Sequence, residues 1–495
     1  MSRIVIQNGN MCELDLPLKF AQKLYNEFAI RHPNAFYLRT RQRGMQNWDG
    51  KIHYITKTGQ FKIGLLPKVY DMCIEMGIKP KVVDMRQPLP KVSKVVTNIG
   101  KYKLRPEQEK AVKAVINNKI GNTPFHIGVL DYTVNAGKTL IMSSLYLSYK
   151  KQLKTLLITN DSDWLNQARE EFKQYLPGED ITFVQGKVLN WSNFTIGMVQ
   201  SISRNMRFYQ KELSQIDMVL VDEADQGGSK QYQNVITRLF NTRIRIGLSG
   251  TIYMSKLAKD KVKNMNLECF FGKVIAEFKL KDSIKKGYST KTIVKMVPGK
   301  PWYGNWESDC ISYKEIYDDS ITNCYTAWLM AYNRLLWNLN QGRYPALVVC
   351  KHIAHCENLY KFFKKKLGDA YNIAYVHVNT PSKLRQQIMK DFREGKIDIL
   401  VSTTIIARGK NFPKLRYLLN AASMDSQEKS IQFLGRLVRT DKSKKKVYLD
   451  DLHYPGNYLD RHGKHRKQYY QRQELKVILL DKLWKKHPNH SLIKS

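Results

Sequence analysis

Residues 124–149 read PFHIGVLDYTVNAGKTLIMSSLYLSY. An apolar run, a short loop ending in Ala136, Gly137, Lys138 and Thr139, and a second apolar run make a strand, a turn and a helix. In that context backbone N–H groups at a helix N-terminus cradle phosphates. On this reading the backbone of Asn135, Ala136 and Gly137 holds the phosphates, Lys138 reaches the β and γ oxygens, and the Thr139 hydroxyl ligates magnesium. The loop departs from G-x-x-x-x-G-K-T at its first position, where Tyr132 stands. A lone A-G-K-T also arises by chance in a basic chain, so a second element is needed.

That element is MVLVDEAD at 218–225, which puts two carboxylates at the end of an apolar strand. Asp222 would hold the magnesium shell and Glu223 would orient and deprotonate an attacking water. An acidic strand end also serves as a plain helix cap, but the phosphate loop upstream favours the catalytic reading. Further along, SIQFLGRLVRT at 430–440 places Arg436 and Arg439 one helical turn apart. An ATPase that answers to its track needs a cation brought to the phosphates from a second lobe, and such an arginine finger is worth about 10³ to 10⁵ in rate.

Outward from these motifs the chain alternates strand and helix. Strand-like runs PFHIGVLDY, TLLITN, FTIGMVQS, MVLVDE and RIRIGLSG fall between about 99 and 284, and ALVVCK, AYVHVN, IDILVSTT and LRYLLNAAS fall between 285 and 459. Such alternation predicts an α/β fold: two tandem doubly wound lobes, each a parallel sheet with helices on both faces and ligands at the strand ends. Residues 1–98 mix short strands with the helical stretch PLKFAQKLYNEFAI and form a small α+β module. The tail 460–495 is basic around VILLDKLW and reads as an amphipathic helix, either packed on the second lobe or facing nucleic acid.

The bulk composition sets the partner class. Lys and Arg number 82 against 43 Asp and Glu, for a net charge of +39 spread along the whole chain. A polyanion is the expected partner, and nucleic acid fits through counterion release. A membrane surface would instead call for a basic amphipathic helix or a lipidation signal, and with no apolar leader and no run of 18 or more apolar residues neither secretion nor membrane spanning is supported. The seven cysteines are scattered and never spaced C-x-x-C, which points to a reducing, cytoplasmic compartment. His352 and His355 have metal-like spacing, yet with no further ligand cluster they read as a packed or phosphate-facing pair.

With these motifs in order, the chain resembles the superfamily 2 helicases and, within them, the phage UvsW-type recombination and repair DNA helicases. The resemblance implies two RecA-like lobes, ATP and magnesium as cofactors, and action on single-stranded and branched DNA, as in annealing, fork regression and branch migration. It also brings a single-strand-binding or recombination protein into view as a partner. It assigns Gln108 in LRPEQEKAV to adenine, and it assigns Ser249 and Thr251 in GLSGT, with Gln432, to coupling hydrolysis with lobe movement. Gln200 and Ser201 in MVQS, and Thr403, Thr404 and Gly409 in STTIIARGKNFP, match strand-contacting motifs. QNWDGK in the N-terminal module adds Trp48, flanked by Arg41 and Arg43, as a candidate surface for bases and phosphates.

Two departures stand out. Asp161 and Asp163 occupy a segment where the family contacts the phosphate backbone, and Asn411 replaces the usual aspartate of ARGKNFP. The rival reading is an RNA helicase, since DEAD also marks an RNA-unwinding family, although that family opens its last motif with histidine where this chain has Gln432. A scaffold with a dead ATPase is disfavoured because Lys138, Thr139, Asp222, Glu223 and Arg439 are all intact.

Overall fold

The computed structural model describes residues 2–41, 44–149, 152–186, 191–252, 258–299, 312–407, 412–425 and 427–480. The chain divides into two compact units, 1–278 and 279–495.

In the first unit, seven parallel strands lie in the order Ile181–Val184, Phe194–Met198, Thr155–Thr159, Met218–Asp222, Ile244–Ser249, Ile127–Tyr132 and Val274–Phe278. The central strands are buried along their whole length. That is why they read as continuous Val, Ile and Leu runs and not as alternating ones. The second unit repeats the architecture with Ile373–Val376, Ile399–Thr403, Ala346–Cys350, Tyr417–Asn420, Lys446–His453, Lys291–Pro298 and Lys476–Leu479. Numbered from each unit's own first strand, both sheets run 3-4-2-5-6-1-7, so the two lobes are topological copies. The doubly wound pair expected from the βα alternation is present, and each sheet also holds strands that the apolar runs do not announce.

The N-terminal module builds its own four-stranded sheet, Gln60–Lys62, Met11–Asp15, Arg3–Ile6 and Lys81–Asp84. It is fused to the first lobe, because Ile4, Phe61 and Leu65 share one apolar cluster with Phe125, Ile127 and Phe271. Arg245 clamps the junction. Its wholly buried guanidinium donates to the Gly9 carbonyl at 2.6 Å, to Asn10 Oδ1 at 2.8 Å and to the Phe270 carbonyl at 3.2 Å. Gly9 is required there, since a Cβ would sit 2.5 Å from the Leu239 carbonyl oxygen.

The tail begins as the helix Asn457–Arg472, whose Arg466 pairs with Asp451 at 2.8 Å with both side chains fully buried. Part of the apolar cluster expected to be helical, Val477–Leu479, instead completes the sheet edge as strand Lys476–Leu479. Residues from 481 lie outside the described residues. No described helix is long and apolar enough to cross a membrane.

Candidate nucleotide site and nucleic-acid interface

The phosphate loop leaves the strand Ile127–Tyr132 and enters the helix Lys138–Ser148. Tyr132 stands where the family pattern has glycine because its hydroxyl donates to the Glu107 carbonyl at 2.8 Å, anchoring the strand to the helix Pro106–Ile116. Two residues of the loop are left-handed, Asn135 at φ 64° and Gly137 at φ 72°, and a Cβ on Gly137 would collide with the Gln108 amide. Gln108 is fully buried. Its Nε2 donates to the Ala136 carbonyl at 2.8 Å and its Oε1 accepts from the Arg105 N–H at 2.8 Å. The Arg105 guanidinium holds the Asn135 carbonyl at 3.3 Å. The residue assigned to adenine is thus also a brace under the loop. The Ala136 N–H is itself turned back onto the Thr133 carbonyl at 3.3 Å.

The acidic turn follows the buried strand Met218–Asp222, next but one to the strand that carries the loop. Lys138 Nζ lies 3.6 Å from Asp222 Oδ1. Burial raises the Asp222 carboxyl above its usual range, and Lys138 opposes that rise. Glu223 sits in the left-handed region at φ 53°. Its pKa is pushed up to about 8, first by burial and then by Asp222 and Asp225. Three carboxylates crowded into one poorly solvated turn repel one another unless a cation joins them. Ser249 Oγ donates to Asp225 Oδ1 at 2.7 Å and accepts from the Thr251 N–H at 3.1 Å, so the GLSGT element grips the acidic turn directly.

A test of fit to magnesium and a triphosphate rests on orphaned groups. Both polar atoms of the buried Asn135 amide, and Asp222 Oδ1, have no hydrogen-bond partner among the described residues. Leaving such groups buried costs about 1 to 3 kcal/mol each, and a phosphate or metal-bound water would satisfy them. Lys138 and Asp222, 3.6 Å apart, together with the orphan amide of Asn135 in the same loop, suit a magnesium-bound nucleotide.

Residues 101–254 match the family model described as type III restriction enzyme, res subunit, and residues 329–441 match the helicase conserved C-terminal domain. The chain belongs to the superfamily 2 helicases. It is 21% identical to the ATP-dependent DNA helicase UvsW of Enterobacteria phage T4, over 88% of this chain and 90% of that one. It is 22% identical to helicase 22 of Sulfolobus islandicus filamentous virus, over 71% of this chain and 64% of that one. In fold it matches the Saccharomyces cerevisiae protein Dbp5 bound to RNA and ADP BeF3, with a TM-score of 0.52 at 14% identity, over 78% and 92% of the two chains.

In the second unit of this helicase, Arg436 lies in the last turn of the helix Gln427–Leu437. Arg439 falls two residues past its end, so the helical spacing that sets the pair on one face is not continued to it. The Arg439 segment is held instead to the start of strand Lys291–Pro298, where Thr290 Oγ1 donates to the Arg439 carbonyl at 3.1 Å. Gln432 is on the same helix as Arg436. Lys429, which the sequence motifs do not single out, donates to Thr404 Oγ1 at 3.3 Å and links this helix to the turn Thr404–Ala407. Thr403 ends the strand Ile399–Thr403 and is buried. Gly409 and Asn411 lie outside the described residues.

Elsewhere the expected contacts divide. Gln200 opens the short helix Val199–Arg204 at the end of strand Phe194–Met198. Ser201 Oγ is engaged by the Gly186 N–H at 3.0 Å. Asp161 does not face a phosphate track: it is buried and accepts from the Trp164 N–H at 3.2 Å as a cap on the helix Ser162–Tyr175. Trp48 donates its indole N–H to the Lys51 carbonyl at 2.9 Å and meets His32 edge-on, while Asp49 accepts from the Lys51 N–H at 2.9 Å. The NWDG motif is therefore first a turn. The exposed aromatics of the module are Phe36, at 80% exposure, and Tyr37, with Arg41 packed over the Tyr37 ring at 5.0 Å. Arg43 lies outside the described residues. His355 is buried with Tyr317 Oη 3.4 Å from its Nδ1, which makes it a packed histidine.

Proposed function

We propose that this ATP-dependent helicase is a DNA translocase acting on branched DNA, where it unwinds, anneals, regresses forks and moves branches. The observation that carries the reading is the N-terminal module. It is locked to the first lobe through Arg245 and a shared core, and it presents Phe36, Tyr37 and Arg41 to solvent. Exposed aromatics beside cations stack on unpaired bases while holding phosphates, and unpaired bases are what a junction offers. A module rigidly carried by the motor lobe moves with each cycle.

In the proposed mechanism, the Asn135–Gly137 backbone and Lys138 bind the triphosphate. Thr139 and Asp222 would hold magnesium, which would supply charge neutralisation for the phosphates. Glu223 positions the attacking water and accepts its proton. On the family resemblance, Arg436 and Arg439 would act as the arginine finger, and Gln432, Ser249 and Thr251 would couple hydrolysis to lobe movement. Gln200 and Ser201 in the first unit and Thr403 and Thr404 in the second are read as strand-contacting residues, and Gly409, Arg43 and Trp48 join them on their motifs alone. The scattered cysteines fit a reducing cytoplasm.

The deciding experiment compares ATPase stimulation by single-stranded, duplex and forked DNA and by RNA. Stimulation greatest with forked DNA is expected. Stimulation greatest with RNA would replace this reading with an RNA helicase.

A further inference from the structure

The strands Phe194–Met198, Thr155–Thr159 and Met218–Asp222 are neighbours in the first sheet, so the residues just past their ends stand side by side. Those residues are Gln200, Asn160 and the turn Glu223–Gln226. Three hydrogen bonds join them. Gln200 Nε2 donates to the Asn160 carbonyl at 3.3 Å, Asn160 Nδ2 donates to Gln226 Oε1, and Gln226 Nε2 donates to Glu223 Oε2 at 3.4 Å. Every donor points the same way, toward the carboxylate.

From this chain we infer that Asn160 and Gln226 are positioning residues that tie the strand-contacting Gln200 to the catalytic carboxylate of Glu223. The inference rests on the functional reading above, which puts Gln200 on the nucleic-acid path. Three features make the chain more than a chance of packing. Its members lie on three different strand ends, so no local turn explains it. Gln226 is held by a short helical turn in which its own N–H donates to the Glu223 carbonyl at 3.0 Å, so the side chain and its target are registered to each other. Gln200 Oε1 and Asn160 Oδ1 are buried without a hydrogen-bond partner, a costly arrangement to keep unless a ligand or a closed state supplies donors.

Chemically, Gln226 occupies one carboxylate oxygen and leaves the other for water. The 3.4 Å separation is long, as catalytic hydrogen bonds often are before the complex that tightens them forms. A nucleic-acid strand that engages the Gln200 amide shifts the Asn160 peptide it holds, and the shift passes through Asn160 Nδ2 and Gln226 to Glu223. Misplacement of a catalytic group by about 1 Å costs on the order of 10²-fold in rate, so small movements suffice.

The test uses the full chain and a nucleic-acid-stimulated ATPase assay. Gln226→Met keeps the bulk and removes the amide. It should lower the stimulated kcat by about 10- to 100-fold while the KM for ATP changes by less than about threefold and the melting temperature stays near wild type. Gln200→Ala should lower stimulated kcat in the same way, and the double variant should be no worse than the poorer single one, since both cut one chain. Wild-type stimulation in Gln226→Met, or effects of the two substitutions that multiply, would overturn the relay while leaving the functional reading intact. A wild-type chain stimulated by no nucleic acid would overturn both.

Discussion

Ser249 Oγ, at the end of strand Ile244–Ser249, donates to Asp225 Oδ1 at 2.7 Å in the turn that follows the neighbouring strand, and both side chains are buried. The bond joins the GLSGT element to the turn that bears Glu223, the proposed general base. Ser249→Ala leaves Asp225 short of a partner, at a cost of about 1 to 3 kcal/mol in stability. It should preserve much of the ATP hydrolysis and lose strand separation. Parallel ATPase and unwinding assays check this; equal losses in both would mean that the bond serves hydrolysis and not coupling.

Glu223→Gln keeps the size and hydrogen-bonding reach of the side chain and removes the charge that polarises water. Turnover should fall by about 10² to 10⁴ while nucleotide still binds. Lys138→Ala should weaken nucleotide binding as well, because it removes the cation beside Asp222. Fluorescent nucleotide titration and single-turnover hydrolysis separate the two. Near-normal hydrolysis in Glu223→Gln would remove it from the base role.

Arg439→Ala should abolish nucleic-acid-stimulated hydrolysis, a loss on the order of 10³ or more, with a much smaller change in nucleotide affinity. The Thr290 contact is to the Arg439 backbone carbonyl and survives the substitution. Undiminished stimulation by DNA would assign the finger to another arginine.

Arg41→Ala with Phe36→Ala changes only exposed side chains, so the fold should be unaffected. Affinity for forked DNA should fall by about 1 to 3 kcal/mol for each lost stacked base. The slope of log K against log salt should flatten by roughly one unit for the lost phosphate contact. Adding Arg43→Ala should flatten it further. Fork binding equal to wild type at every salt concentration would show that this face does not touch DNA.

His355 is held neutral by burial, with a pKa depressed to about 3 and the neighbouring His352 adding to the shift. The unfolded chain takes up a proton near pH 6.5 that the folded chain refuses until about pH 3. The stability from this group is therefore complete above pH 6.5 and is lost progressively as pH falls toward 3. Thermal melts of wild type and His355→Phe at pH 5.0 and 7.5 should show a smaller acid destabilisation in the variant. Identical pH dependence would place the sensitivity elsewhere.

The ATP motifs were legible in the residues because their chemistry is local: a loop, a lysine and two carboxylates occur within short windows at the ends of apolar strands. The same holds for the central strands, whose unbroken apolar runs follow from burial on both faces. Strand Lys446–His453 was not legible. Its Asp450 and Asp451 are fully buried in the sheet, tolerable because Arg334 and Arg466, distant in sequence, pair with them and Asn338, Tyr417, Asn420 and Tyr470 donate to them. Arg466 in turn belongs to a helix that composition alone reads as a basic surface tail. Gln108, Tyr132 and Asp161 show the same limit at the site, since each owes its role to a partner that the chain brings near only on folding. Periodicity, residue type and charge were enough for the βα order, the phosphate-loop motifs and the expectation of a polyanionic partner. Packing of the folded chain sets the rest: the N-terminal module is fused to the first lobe, Trp48 braces a turn while Phe36 and Tyr37 face solvent, and an amide chain reaches Glu223. Those outcomes depend on which groups are desolvated together, and desolvation is a property of the packed chain.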